Sequence, residues 1–517
     1  MKSIHPTALV ILDGFGYRSE KKYNAIAHAH MPHFKKWWDE YPHAILNASG
    51  SFVGLPDNMI GNSEVGHITI GAGRIISQPI KVWLESIADG TFKHNPVLIE
   101  QLEKLHSVGG ALHILGLLSD AGIHMHEQPM QAVIEAAVKA GIKKIVVHPF
   151  LDGRDVPPRS AHDYMQRLAQ LSKYYNHGQV IIGSVHGRFY AMDRDHHWDR
   201  IEKSYRVLTE KQHEPYESWE RVLERSYVHN ITDEFILPTQ LTEQAVIHNG
   251  DGIIFCNVRP DRARELTASF VIPGHPELVE GFDHFIVKPL NLTFFITPVA
   301  YDTHLSTTVL FQRKHILNTL KDVLAHHGKT IFAIAETEKY AHVTYFFRGE
   351  NEEAVSTETR HMVPSLNAKN YLTHPEMRAE QITQTVIASL QENPADFYLI
   401  NYANADMVGH SGNFGATIQA LEFLDKQFGA LYEVIVEKMD GTLYITADHG
   451  KAEDMFDEAI KQPRTAHTNN PVPFIMIKKG AISDNAVLPL TELSDIAPFI
   501  LQNMKLEVPV EMLRSSV

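Results

Sequence analysis

Ala8-Leu9-Val10-Ile11-Leu12-Asp13-Gly14 is an apolar run stopped by a carboxylate and a glycine. The pattern returns near the other end of the chain. Phe397-Tyr398-Leu399-Ile400 leads within a few residues to Asp406, and Leu443-Tyr444-Ile445-Thr446 stops just before Asp448-His449-Gly450. Short continuous apolar runs of this kind read as strands buried on both faces, the condition of a parallel sheet covered by helices. Amphipathic stretches between the runs supply those helices. Residues 127–140 align Met130, Val133, Ile134, Ala137 and Val138, with Pro129 in the first turn and Gly141 at the exit; residues 416–437 align Ile418, Leu421, Leu424, Phe428 and Leu431. The expected class is α/β. Because ligands bind at the carboxyl ends of strands in such sheets, Asp13 and Asp448 are expected to be neighbours.

A second series of strand-like runs lies between the first and last of these, and its exits differ. Leu112 to Leu118 precedes His124, Ile145 to Val147 precedes Asp152-Gly153-Arg154-Asp155, Val180 to Ile182 precedes Arg188, and Ile253 to Val258 precedes Arg259. The simplest organisation is an outer domain of residues 1–78 and 310–517, interrupted by an inserted domain of residues 79–309, each with a largely parallel central sheet.

Composition narrows the function. The 517 residues carry a formal net charge of −15, which repels polyanions and argues against nucleic-acid partners. No run approaches a membrane span, and Ala8 to Leu12 is too short for a signal segment, so neither membrane association nor secretion is expected. The only cysteine, Cys256, has no internal disulfide partner and sits in an apolar run, which fits a reducing cytoplasm. The 32 histidines are many for this length, and imidazole is the commonest metal ligand.

Asp406 and His410 are four apart, Asp448 and His449 are adjacent, and His467 lies in Thr465-Ala466-His467-Thr468-Asn469-Asn470-Pro471. Each residue alone reads equally well as a polar group at a strand end or helix cap. Together with Asp13 they make a mixed carboxylate and imidazole set suited to a divalent transition metal, with Mn²⁺ and Zn²⁺ both open on ligand type. Ser63, in Gly61-Asn62-Ser63-Glu64-Val65-Gly66-His67, reads as a helix N-cap and also as a nucleophile that neighbouring metal ions would activate. In the inserted segment Arg154, Arg188, Arg194, Arg259 and Arg262 follow strand ends on an otherwise acidic protein, a concentration that suits a small phosphorylated or carboxylated ligand. Asp155 and His124 beside them are candidates for proton transfer or charge balance, and Lys339 is a candidate contact for a transferring phosphate.

The chain resembles the cofactor-independent (2,3-bisphosphoglycerate-independent) phosphoglycerate mutases, of the alkaline phosphatase superfamily. The resemblance runs through Leu12 to Gly16, Gly61 to His67 continuing to Arg74, Asp152 to Pro158, Gly187 to Asp195, Arg259 to Arg262, Asn401 to His410 and Thr446 to Gly450. It implies an alkaline-phosphatase-like domain carrying an inserted α/β domain, and interconversion of 3-phosphoglycerate and 2-phosphoglycerate through a phosphoserine at Ser63. It implies two Mn²⁺ ions, one on Asp13, Ser63, Asp448 and His449 and the other on Asp406, His410 and His467. It implies substrate contacts from His124, Arg154, Asp155, Arg188, Arg194, Arg259, Arg262 and Lys339, with Asp155 moving a proton. A monomer acting on a small molecule in the cytoplasm is expected. Two rival readings are a metal-dependent phosphatase or phosphopentomutase-like enzyme of the same superfamily, and a metal-stabilised binding protein without turnover. Two departures stand out. Ala121-Gly122-Ile123-His124 has one glycine fewer than the family often shows before its histidine, and Lys451 stands where asparagine is common.

Overall fold

The computed structural model describes residues 4–175, 179–212, 215–272, 285, 287, 290–312, 315–366, 371–458, 461–481 and 486–513. The chain divides into two compact units, one of Met1–Ser77 with His315–Val517 and one of Gln78–Lys314. No helix among the described residues is long and apolar enough to cross a membrane.

The first unit is built on a seven-stranded sheet. Its spatial order is Glu358–Val363, Ile331–Glu336, Phe397–Tyr402, Thr7–Leu12, Thr442–Thr446, Val472–Lys478, His43–Leu46. The strands from Glu358–Val363 to Thr442–Thr446 are parallel, and Val472–Lys478 runs against its two neighbours. Thr7–Leu12 is buried along its whole length, as its unbroken apolar run requires, and it sits between strands from the C-terminal part of the chain. Register then does the positioning. Leu12 lies opposite Tyr402 and Ile11 opposite Thr446, so the residues following all three strands emerge at one edge of the sheet. The antiparallel strand contributes its approach instead of its exit. Phe474 pairs with Thr446, so the loop leading into Val472–Lys478 reaches that same edge.

The second unit is an eight-stranded sheet ordered Thr308–Val309, Phe294–Thr297, Gly252–Phe255, Leu112–Leu118, Ile145–Leu151, Ser184–Gly187, Thr239–Gln240, with Val180–Ile182 also paired to Ile145–Leu151. Apart from Thr239–Gln240 the pairings are parallel. The helix Glu127–Lys139 buries Met130, Val133, Ile134 and Ala137. At roughly 1.5–3 kcal/mol per fully buried aliphatic side chain, such stripes are what hold helix to sheet.

A polar line crosses this otherwise apolar core. His113 Nε2 lies 3.2 Å from Asp251 Oδ2, His113 Nδ1 lies 2.9 Å from His148 Nε2, and Ser184 Oγ is 2.7 Å from both His148 Nδ1 and His186 Nε2. One polarity satisfies the line. Asp251 accepts from His113, His113 accepts from His148, His148 accepts from the Ser184 hydroxyl, and Ser184 accepts from His186. All three histidines are then neutral, and only His186 Nδ1 is left without a partner.

Candidate active site

Ser63 opens the helix Ser63–Ala72, but it does not cap it. Asn62 is the N-cap, its side chain accepting from the Val65 N–H. This corrects the N-cap reading of the serine: standing one residue inside the helix, Ser63 keeps its hydroxyl for tertiary partners. Ser63 Oγ donates to Asp13 Oδ1 at 3.0 Å, lies 3.1 Å from His449 Nε2, and accepts from Lys339 Nζ at 2.8 Å. Packing at Gly66 lets the helix come this close. A Cβ there would stand 2.5 Å from the Asp448 carbonyl oxygen and 2.9 Å from its Cβ.

Lys339 sits in the helix Thr337–Val343, just after the strand Ile331–Glu336, and is buried. Its ammonium donates to Asp13 Oδ1 at 2.6 Å and to Asp406 Oδ2 at 2.7 Å as well as to the serine. Burial pulls its pKa down, but the charges of Asp13, Asp406 and Asp448 outweigh burial and hold it above the ordinary lysine value. Burial likewise works against ionisation of Asp13 and Asp406, and Lys339, joined by His449 at Asp13 and by His410 and His467 at Asp406, more than compensates, so both stay well below the usual carboxylate range. The structure thus groups Lys339 with the carboxylates and the serine.

Three imidazoles complete the cluster, and their outer nitrogens are all committed. His410 Nδ1 donates to the Thr465 carbonyl at 2.8 Å, His467 Nδ1 to Gly61 at 3.0 Å and His449 Nδ1 to Gly450 at 3.3 Å. Each ring therefore turns its Nε2 inward. Burial and the charge of His449 lower the His467 pKa to about 4 and leave that nitrogen an open lone pair, whereas at His449 burial is outweighed by Asp448, Asp13 and Asp406, which raise its pKa to about 9. His410 Nε2 and His467 Nε2 lie 3.2 Å apart, each 3.1 Å from Asp406 Oδ1. Two ring nitrogens and a carboxylate oxygen converge there. Asp406 Oδ1 and Asp448 Oδ2 are buried oxygens to which no described donor is aligned. Converging acceptors without donors are what a cation requires, so the residues present fit divalent metal. Asp406, His410 and His467 offer ligand atoms within 4.8 Å of one another, as do Asp13, Asp406 and His449, and Asp13, His67 and Asp448.

Several residues around the cluster carried no assigned role in the sequence reading. His67 Nδ1 donates to the Ser63 carbonyl at 2.8 Å and lies 3.2 Å from Asp448 Oδ2. Its place four residues after Ser63, on one helix face, was the available signal. Asn401 donates to Asp13 Oδ2 at 2.9 Å, and a lone amide in an apolar strand marks it. Lys451 is buried, with burial pulling its pKa to about 8, and its ammonium donates to the Thr465 carbonyl that also receives His410. Glu453 accepts from the Gly16 and Lys451 N–H groups, from Thr468 and from Asn470, binding three loops into one frame. Glu453→Ala, which orphans those donors, is expected to lower stability by about 2–4 kcal/mol in urea unfolding, and Glu453→Gln by less.

The second unit brings its sequence-marked residues together at the carboxyl edge of its own sheet. Arg188 is 3% exposed, and its Nη1 donates to Asp152 Oδ1 at 2.6 Å and Asp155 Oδ2 at 2.5 Å. Arg194 donates to Asp261 Oδ2 at 2.9 Å, Arg259 Nε to Asp261 Oδ1 at 3.0 Å, Arg262 Nη1 to the Met192 carbonyl at 3.1 Å, and Arg154 to Glu234 at 3.3 Å. Burial, then the charges of Arg194, Arg188 and Arg154, press the Arg262 pKa down, the signature of guanidinium groups crowded together. His124 is buried and its Nδ1 has no hydrogen-bond partner; burial and Arg188 hold it well below the usual histidine pKa.

Residues 84–303 match the family model for the BPG-independent PGAM N-terminus, and residues 299–492 match that of the type I phosphodiesterase / nucleotide pyrophosphatase family. A 2,3-bisphosphoglycerate-independent phosphoglycerate mutase of Legionella pneumophila (strain Corby) is 43% identical over 508 residues, spanning 98% of this chain and 96% of its own. One of Cyanothece sp. is 42% identical over 515 residues, spanning 98% and 94%. The crystal structure of Leishmania mexicana phosphoglycerate mutase at low cobalt concentration aligns over 99% of this chain and 97% of its own, with a TM-score of 0.77 and 30% identity. Relatives of this identity over nearly the whole chain decide the matter: the chain belongs to the 2,3-bisphosphoglycerate-independent phosphoglycerate mutase family.

Proposed function

We propose that the chain interconverts 3-phosphoglycerate and 2-phosphoglycerate through a phosphoserine at Ser63, without free 2,3-bisphosphoglycerate. The observation that carries this is the Ser63 hydroxyl held among Lys339, Asp13 and His449. Its hydrogen points at Asp13, and an ammonium 2.8 Å away favours the alkoxide. In the transfer, a bond forms between Ser63 Oγ and phosphorus as the bond from phosphorus to the glycerate oxygen breaks. The serine proton passes to Asp13, toward which it points, and the departing oxygen takes up a proton, for which Asp155, oriented by Arg188, is the proposed donor. The second half is the reverse on the other hydroxyl: Asp155 accepts its proton, that oxygen takes the phosphoryl group, and the serine is regenerated. Arg154, Arg188, Arg194, Arg259, Arg262 and His124 hold the glycerate while it turns; the N-terminus of the helix Ser63–Ala72 favours the phosphoryl charge.

Asp13, Ser63, Asp448 and His449 would hold one divalent cation and Asp406, His410 and His467 another, with Mn²⁺ the proposed metal. Bound there, the ions supply Lewis acidity that eases loss of the serine proton and offsets phosphoryl charge. Lys339 is proposed to touch the transferring phosphate. The same reading takes the chain as a monomer acting on a small molecule in the cytoplasm; the lone, buried Cys256 is in keeping with a reducing compartment.

Brief exposure to ³²P-labelled 3-phosphoglycerate, acid quench and peptide mapping test the reading. Label is expected on the peptide containing Ser63. Free phosphate released as fast as 2-phosphoglycerate forms would favour a phosphatase instead. Removing divalent metal with a chelator is expected to abolish turnover and lower the melting temperature, and added Mn²⁺ to restore both. Full activity in the demonstrably metal-free protein would contradict the metal assignment.

A further inference from the structure

Arg188 and Arg194 stand in contrasting surroundings within the second unit. Arg188 is sealed between Asp152 and Asp155, and a buried pair of this kind is not given up cheaply. Arg194 is 44% exposed and its partner Asp261 27% exposed, the setting in which an ion pair is weak and readily exchanged. Asp261 also serves Arg259, one carboxylate oxygen to each arginine, and His124 Nδ1 lies 3.9 Å from the oxygen facing Arg259. Burial raises the Asp261 pKa, but Arg259, with Arg194, brings it below the usual value, so the group is an anion at neutral pH. A carboxylate spread over two guanidinium groups makes the contact that a ligand's own carboxylate or phosphate would make.

We propose that Asp261 is a built-in counter-ion of the arginine set, which the incoming phosphoglycerate displaces from Arg194 and Arg259, and that this competition sets how high an anion concentration the site needs to fill. The assignment rests on the proposed use of these arginines for substrate. A small dianion such as sulfate can replace one carboxylate on two forks but offers nothing further. Phosphoglycerate carries both a carboxylate and a phosphate, so it can recover the lost ion pairs and add contacts to Arg154 or Arg262. Asp261 thus weakens both ligands alike: their affinity ratio is unchanged, while the weaker one needs a higher concentration to occupy the site.

The test uses the full-length, Mn²⁺-supplied protein and its Asp261→Asn and Asp261→Ser variants, with Asp261→Glu as the charge-retaining control and Arg194→Met as the background. Sulfate affinity by calorimetry is expected to rise about fivefold in the Asn or Ser protein, the range of a partly exposed ion pair, and to stay near wild type in the Glu protein. In the coupled assay KM for 3-phosphoglycerate is expected to fall and sulfate to become a stronger competitive inhibitor, with kcat reduced as product leaves more slowly. Unchanged or weaker sulfate binding in a folded Asn or Ser variant, or a raised KM, would overturn the proposal and make Asp261 a brace for the arginines. Two neutral replacements guard against one failing to fold. Sulfate titration needs no turnover, so it reports on Asp261 even if the mutase reading itself fails.

Discussion

Ser63→Ala is expected to lower mutase turnover by about 10⁴-fold or more while leaving the fold in place, because the nucleophile is the one group the transfer cannot replace. The stability argument is local. Lys339 keeps its bonds to Asp13 and Asp406, Asn62 keeps the helix cap, and the lost atom is a single oxygen. The melting temperature is therefore expected to shift by no more than about 2–4 °C, in the range of a lost hydrogen bond. Coupled assay without 2,3-bisphosphoglycerate, alongside thermal unfolding, reads both quantities. A folded Ser63→Ala protein that still turns over at a tenth of the wild-type rate would end the phosphoserine mechanism.

Mild acid is expected to destabilise the second unit steeply through its buried histidine line. Burial lowers the pKa of His113 and takes His148 well below the ordinary value, with neighbouring histidines and Lys144 adding to it; burial brings His186 to about 3. In the unfolded chain these rings bind protons below about pH 6.5. The folded form refuses them, so the unfolded state gains protons as pH falls, and stability present above pH 6.5 drains away below it. For His148 and His186 together the slope approaches roughly 3 kcal/mol per pH unit, or about a hundredfold in the folding equilibrium, and His113 adds to it. Hydrogen exchange on peptides covering Leu112–Leu118 and Ile145–Leu151, followed from pH 7 to 5, should show protection falling with this slope. His186→Leu removes one titrating ring and is expected to flatten the slope by about a third to a half. Protection in these strands that does not change with pH would refute the neutral-histidine assignment.

Much of the architecture was legible from strand-like runs and their exits. Thr7–Leu12, Phe397–Tyr402 and Thr442–Thr446 are apolar enough to be recognised singly, and the acidic residues after them marked the edge at which those carboxylates meet. Other features were not legible. Ser63 and Asn62 are both good capping residues, and sequence spacing does not say which one the helix uses. Lys339 reads along the chain as a candidate phosphate contact after a strand; only the fold around it reveals a buried ammonium shared by two carboxylates and a hydroxyl. The histidine line was equally hidden, since His113, His148 and His186 interrupt apolar strands without any periodic signal.

By itself the sequence determined the class of the fold, the strands that end at one shared edge and the chemical types gathered there, because apolar runs and chemically distinctive side chains act through local composition. Tertiary structure decided which of those side chains meet, which nitrogen of each histidine turns inward, and which arginine is sealed and which is exchangeable. Those outcomes depend on sheet register and on hydrogen bonds between residues hundreds of positions apart, such as Asn401 to Asp13 and Gly16 to Glu453. Distances of that kind are set when the whole chain packs, since no local segment contains both partners.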